Sequence, residues 1–326
     1  MVGSADRLRP HIKTCKSPEA VRLMQSYGIC KFKCATISEA EMLGMENAKD
    51  VLLAYQPSGP KLERFIALIK KYPDTQYSCL VDNLDAAQQQ VNAFSNAGVK
   101  VSIYVDINVG MNRSGIKPGE DAIRLIKYLS DQDRIKKVGL HIYDGHITSP
   151  SVLQRESQVN EWMRTLADLP DLDIIVGGSP TFPIHAKQKK FECSPGTFIY
   201  WDKSYLDNCP EQNFVPAAII MCRVVSKPRN DLITVDLGHK SIASENEITR
   251  RIYFPEEKGL VPVSHSEEHL VLRNEGSKVY KPGDILYGIP YHVCPTVALY
   301  ERAITVEGGE VSGEWKNVAR DRKISI

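Results

Sequence analysis

The 326-residue chain has no CxxC pair, no Gly-rich G-x-G-x-x-G loop, no low-complexity tract and no internal repeat beyond an alternation of strands and helices. The missing Gly-rich loop weighs against a doubly wound dinucleotide-binding sheet, which carries one after its first strand. Charge of one sign is also missing. Lys plus Arg number 41 and Asp plus Glu 40, a net charge of +1. A protein for nucleic acid or anionic membranes would carry a basic excess or a basic stripe. Long apolar runs are absent, and a stretch such as 215–225 falls short of the roughly 18 apolar residues of a spanning helix. The opening MVGSADRLRPH lacks the apolar core of a secretory signal. Together with eight cysteines in no framework spacing, this points to reduced thiols and a cytoplasmic enzyme. Hydrophobic residues at 42% and charged ones at 25% exclude a disordered chain, a collagen and a small disulfide scaffold.

What is present is order. Short β-rich runs occur at 8–13, 31–36, 50–56, 76–82, 99–108, 136–143, 172–178 and 191–200. Helical patterns separate them at 17–27, 37–48, 59–71, 82–98, and near 118–131 and 149–168. Ser17-Pro18 is an N-cap followed by Pro at the first helical position. Ser38 with Glu41 three residues on fits a capping box, and Gly98 fits a C-cap. Strands alternating with helices argue for parallel pairing, because parallel neighbours need a crossover. Eight such units predict an α/β fold, a (β/α)8 TIM-type barrel, over residues 1–204. From 205 the runs are short and β-rich, divided by turns such as Lys227–Asp231, with no convincing helix; 205–326 reads as an all-β domain.

Barrel enzymes carry their reactive groups at the C-terminal ends of the strands. Lys13 ends the first strand, Asp106 and Asn108 the fifth, and His141 and Tyr143 the sixth, followed by Asp144, Gly145 and His146. A lysine in a barrel mouth is desolvated and becomes a better nucleophile toward carbonyls. Alone, Lys13 also reads as an ordinary loop lysine beside Lys16. The tract Gly177-Gly178-Ser179-Pro180-Thr181 offers backbone N–H groups and hydroxyls to a phosphate, or is a simple turn. An aldehyde-trapping lysine with a phosphate cup is what pyridoxal 5′-phosphate (PLP) requires. In the β-domain, His292 and Cys294 would share a face if their stretch is a strand. An imidazole with a thiolate suits zinc better than magnesium or manganese, and two ligands would leave positions open. The alternative is a buried Cys beside a surface His.

Taken together, RPHIKT (9–14), DINVGMNRSG (106–115), GLHIYDGH (139–146), GGSPT (177–181), SPGTFIYWD (194–202) and HVCPTV (292–297) resemble the D-threonine aldolase and D-serine dehydratase family. These are PLP enzymes of fold type III with an alanine-racemase-like barrel. RPHIKT and HVCPT are the specific tracts, while GMNRSG is shared with alanine racemases. The resemblance implies that Lys13 binds PLP as a Schiff base and that Gly177, Gly178, Ser179 and Thr181 help hold its phosphate. It places Arg113 near the ring or the substrate carboxylate, Tyr143 near the cofactor, and a divalent metal on His292 and Cys294. It implies a lyase acting on D-3-hydroxy amino acids and a homodimer. His146 is a candidate base by position. The family pairs His with Asp for aldol cleavage and His with Cys for dehydration, so His292-Val293-Cys294 tips toward dehydration. Where the family usually reads KTHK, this chain has Lys13-Thr14-Cys15-Lys16. Lys13 also comes unusually early, so a leading strand and helix are expected to be missing. An amino-acid racemase of the same superfamily is the alternative, since it needs bases on both faces and no metal. A PLP-homeostasis protein would be a single barrel, which 205–326 argues against, and a scaffold module would bind no cofactor.

Overall fold

The structure, a computed structural model, describes residues 1–326. It divides into two compact units, Met1–Gly196 with Ile304–Ile326, and Thr197–Ala303. The sequence reading set the boundary at 204/205; by contacts the chain changes units at 196/197 and returns at 304.

The first unit alternates α1 (Pro18–Ser26), β1 (Lys31–Cys34), α2 (Ile37–Met45), β2 (Asp50–Leu53), α3 (Pro60–Lys71), β3 (Gln76–Val81) and α4 (Leu84–Ala97). It continues with β4 (Val101–Ile107), α5 (Glu120–Ser130), β5 (Ile135–Ile142), α6 (Val152–Arg164), β6 (Ile174–Val176), α7 (Phe182–Ala186) and β7 (Phe191–Cys193). The seven strands form one parallel sheet in chain order. The eighth expected strand is the segment around 8–12. It pairs in parallel with Cys193 through Leu8 and with Lys33 through His11. The Arg9 N–H donates to Cys193 O and the Ile12 N–H to Lys33 O, both at 2.9 Å. The segment therefore joins β7 to β1 and closes the sheet. Pro10 has no N–H to give β1, which is why this stave is a pair of bridges and not a regular strand.

Period-two alternation sorts each stave into an inner and an outer face. Phe32, Cys34, Val51, Leu53, Cys79, Val81, Ile103 and Val105 occupy one set of positions and are all buried. The opposite set builds the barrel interior in layers. At the start of the strands, Arg9 is fully buried and holds Asp50 at 2.7 and 2.9 Å and Glu192 at 2.8 Å. Lys31 joins Glu192 at 2.6 Å. Above it packs an apolar layer of Leu52, Leu80, Tyr104 and Ile175. Lys33, Asp106 and His141 follow at the strand ends.

The helices follow their caps. Asn83 accepts the Ala86 N–H at 2.8 Å to open α4, and Gly98 closes it at φ +71°. The cap expected at Ser38 lies two residues earlier. Thr36, extended at the end of β1, accepts the Glu39 N–H at 3.1 Å, and the Glu39 carboxylate accepts the Ala35 N–H at 2.5 Å.

The second unit holds α8 (Lys203–Asn208), β8 (Ile220–Arg229), β9 (Leu232–Val235), β10 (Ile252–Tyr253), β11 (Leu260–His265), β12 (Leu270–Asn274), β13 (Ile285–Pro290) and α9 (Val293–Leu299). Its strands form an antiparallel sheet, β10-β13-β8-β9-β12-β11. One core of Cys222, Val224, Ile233, Val235, Leu270, Leu272 and Leu286 packs with Ile252, Phe254 and Tyr280. The expectation of no helix after 205 is corrected by α9. Its Val-Cys-Pro-Thr-Val composition reads as strand, but Pro295 falls in the first turn, where a missing N–H costs nothing. The hairpin of β14 (Arg302–Glu307) and β15 (Glu310–Lys316) turns on Gly308 and Gly309. Both have positive φ, as a two-residue primed turn requires. The C-terminus is pinned within the first unit, where the buried Glu41 accepts the N–H groups of Ser325 and Ile326 at 3.1 and 3.2 Å.

Candidate active site

The inner-face positions converge on one aromatic ring. Tyr143 follows β5, and three cations lie over its ring. Lys13 Nζ and Lys33 Nζ are each 5.9 Å from its centroid, and the Arg113 guanidinium is 5.0 Å away. Lys13, Arg113 and Tyr143 are thus brought together as expected. The desolvation argued for Lys13 falls instead on a lysine not singled out in the sequence. Lys13 is half-buried, whereas Lys33 is 2% exposed. Burial pushes the Lys33 amine down to about 7; the charge on Lys13 works in the same direction, and Asp106 and Asp144 oppose it.

Lys33 ends a polar chain. Its Nζ lies 3.5 Å from His141 Nε2, and His141 Nδ1 lies 2.7 Å from Asp106 Oδ1. Asp106 also accepts the Ser114 hydroxyl at 2.9 Å. Burial alone would raise the Asp106 carboxyl, but the His141 and Ser114 hydrogen bonds overcome it and hold it below the usual range. Burial lowers His141 despite the Asp106 contact. An ionised Asp106 keeps the proton of a neutral imidazole on Nδ1, so Nε2 faces Lys33 as an acceptor. A signal for Lys33 was present in the sequence: β1 reads Lys-Phe-Lys-Cys, with a charge on every inward position.

The loop after β6 presses against the same ring. A Cβ on Gly178 would lie 3.1 Å from Tyr143. Gly177 has φ +81°, and a Cβ there would meet His185 at 2.6 Å. Only glycine lets the backbone pass here. Ser179 and Thr181 are buried beside it. The Thr181 hydroxyl donates to Asp144 at 2.8 Å, and His185 Nε2 holds the other Asp144 oxygen at 2.8 Å. Asp144 and His185, both fully buried, therefore brace the loop, and Thr181 acts as part of that brace. The segment bearing Lys13 is approached closely as well, since a Cβ on Gly196 would lie 3.1 Å from His11 O. Cys15, in place of the family's second imidazole, is buried with its thiol pushed up to about 12.

His146 lines a cleft of about 460 Å³ with Asn108, Gly110, Gln158 and Trp162, and Asn108 also lines a small pocket with Tyr143 and Arg113.

In the second unit, His292 and Cys294 do meet, by a route other than strand alternation. His292 is the N-cap of α9 and Cys294 its second residue. The imidazole is hydrogen-bonded to the Cys294 sulfur, and its Nδ1 to Glu245. Burial would lower His292, but Cys294 and Glu245 together raise it to about 9. Asp202 accepts the intervening Val293 N–H at 3.1 Å and the Tyr205 N–H of α8 at 3.0 Å. No third His, Cys, Asp or Glu completes a metal-binding cluster.

The first-unit residues fit PLP. An amine, an aromatic wall and a glycine loop too tight for side chains face one another, with Arg113 beside them.

Comparisons with known proteins identify the family and the fold. Residues 1–204 match the family model "Alanine racemase, N-terminal domain", and 217–306 match "Putative serine dehydratase domain". The chain is 26% identical over 339 residues to D-threonine aldolase of Arthrobacter sp., covering 98% of this chain and 88% of that protein. It is 26% identical over 209 residues to D-threo-3-hydroxyaspartate dehydratase of Delftia sp. (strain HT23), covering 60% and 54%. The crystal structure of D-threonine aldolase from Filomicrobium marinum superposes with a TM-score of 0.88 at 26% identity, covering 96% of this chain and 88% of that one. An alanine racemase N-terminal domain with its lysine at the mouth, joined to a serine-dehydratase-type β-unit, places the chain in the D-threonine aldolase and D-serine dehydratase family of PLP-dependent, fold-type-III lyases.

Proposed function

We propose that this protein is a PLP-dependent lyase of D-3-hydroxy amino acids. The observation that carries the reading is Lys13 over the Tyr143 ring, against which the Gly177–Thr181 loop is packed. Bound through Lys13, the cofactor supplies an electron sink for charge developing at Cα. The chain's own groups do the rest. Arg113 supplies positive charge for the substrate carboxylate, Tyr143 the aromatic wall, and the 177–181 loop the phosphate contacts. In the elimination branch the Lys13 amine takes the Cα proton. In the aldol branch a base takes the hydroxyl proton and the Cα proton is not needed.

His292 and Cys294 fit a divalent ion, zinc in preference to manganese or magnesium, because a thiolate is soft. Held by these two residues, such an ion would supply a Lewis acid for the 3-hydroxyl. Nδ1 of His292 is held by Glu245, which leaves Nε2 as the ligand nitrogen, as in carboxylate–histidine–metal arrangements. The His-x-Cys pair favours dehydration over aldol cleavage. The protein is read as a homodimer, which light scattering tests.

The deciding experiment is purification with PLP, a visible spectrum, and product assay with and without chelator. Pyruvate from D-serine supports dehydration; acetaldehyde from D-threonine supports the aldol branch. Absence of a visible band, or an undiminished band in Lys13→Ala, refutes the cofactor reading.

A further inference from the structure

Lys33 is the one fully buried amine of the barrel mouth, and no step above uses it. It shares the Tyr143 ring with Lys13. Behind it stand His141, at 3.5 Å, and Asp106, which fixes the imidazole at 2.7 Å. This is the order of an activated amine: a nucleophile or base, an imidazole acceptor, and a carboxylate that orients the imidazole. A buried lysine without function would be a liability, since desolvating an ammonium is costly.

We propose that Lys33 is a second functional amine of this site, the end of a buried Asp106–His141–Lys33 relay that takes up the proton Lys13 must lose before it can attack an aldehyde. The step is Lys13–NH3+ plus Lys33–NH2 giving Lys13–NH2 plus Lys33–NH3+. One N–H bond breaks, one forms, and no co-reactant is needed. The groups facing Lys33 are Lys13 and Arg9 on the closing stave, Asp106 on β4, His141 on β5 and Asp144 just after it. His11, half-buried on the same stave as Lys13, is held neutral by desolvation first and by the charges of Lys13 and Lys33 next. The surroundings thus hold two carboxylates to receive the transferred proton's charge, and Lys33 itself is free to accept it above about pH 7.

This inference rests on Lys13 as the cofactor lysine, and the test separates the two. Apoprotein is mixed with PLP, and growth of the visible band is followed across neutral pH. In wild type the rate of capture rises as Lys33 becomes neutral, through about pH 7. In Lys33→Met the rise moves to higher pH, and capture at neutral pH slows by about tenfold or more, the equivalent of one pH unit. Lys33→Arg puts a permanent positive charge there but cannot serve as a base, so it is slow too, which separates proton uptake from simple charge. Asp106→Asn, which disturbs the imidazole tautomer without emptying the barrel, slows capture in the same direction. Equal pH profiles in wild type and Lys33→Met, at equal final band, overturn the relay. A wild type that develops no band overturns the Lys13 reading and the relay with it.

Discussion

Replacing Lys33 by Met should stabilise the protein. Lys33 is 2% exposed, and burial, followed by the charge of Lys13, lowers its amine from about 10.5 to about 7. In the unfolded chain the amine binds its proton at the ordinary value, so folding near pH 7 releases about half of that proton and holds the rest far more weakly. Each tenfold in proton affinity is worth about 1.4 kcal/mol, and the release costs the fold about 4 kcal/mol at neutral pH. A depressed amine contributes fully only above the unfolded value, and that contribution is lost as pH falls toward 7. Met has a similar shape and no proton to lose. Against the gain stands the contact with His141, long at 3.5 Å, whose loss costs about 1 kcal/mol. The net is about 3 kcal/mol, or about 6–12 °C for a unit of this size. The assay is thermal unfolding of the apoproteins by circular dichroism from neutral to alkaline pH. Lys33→Met should melt higher at pH 7, and the gap should close as the pH approaches 10.5. A variant that melts lower at pH 7, or a gap independent of pH, refutes the claim that Lys33 is held neutral at the expense of stability.

Arg9→Met should do the opposite. It strands Asp50 and Glu192 without their buried guanidinium, and because both carboxylates keep some solvent the loss should be about 3 kcal/mol, read as a lower melting temperature. Gly177→Ala forces a Cβ to 2.6 Å from His185 at φ +81°; PLP affinity, by absorbance titration of the apoprotein, should fall while α-helical content stays unchanged. Glu245→Gln should weaken zinc binding by about tenfold to a hundredfold in chelator competition, and Cys294→Ala should weaken it further. If neither variant changes zinc affinity, the metal role of His292 and Cys294 fails.

The fold was legible where local chemistry repeats. Seven of the eight expected strands of the first 200 residues are regular strands, the eighth is a pair of bridges, and the six expected helices begin and end within a few residues of their limits. Gly98 closes α4 as read, because only a left-handed residue serves there. The errors lie where two local signals compete. Thr36 and Ser38 both suit a cap, and only the end of β1 decides between them. The run Val293–Leu299 has strand composition, yet the main-chain N–H of Val293 is held by Asp202, ninety-one residues away, and the stretch turns into a helix.

For the candidate site, the sequence alone marked the strand ends and the loops after them, with Lys13 and the glycine loop read from the residues and Arg113 and Tyr143 from the family resemblance. It determined equally that His292 and Cys294 are close in the chain. Only tertiary structure decided which amine is desolvated. Lys13 and Lys33 both lie over the Tyr143 ring, but depth within a closed barrel depends on all eight staves at once, and it is Lys33 that lies below the surface. Alternation sets which face a residue takes; the surrounding strands and loops set how much water it keeps, and with that its charge.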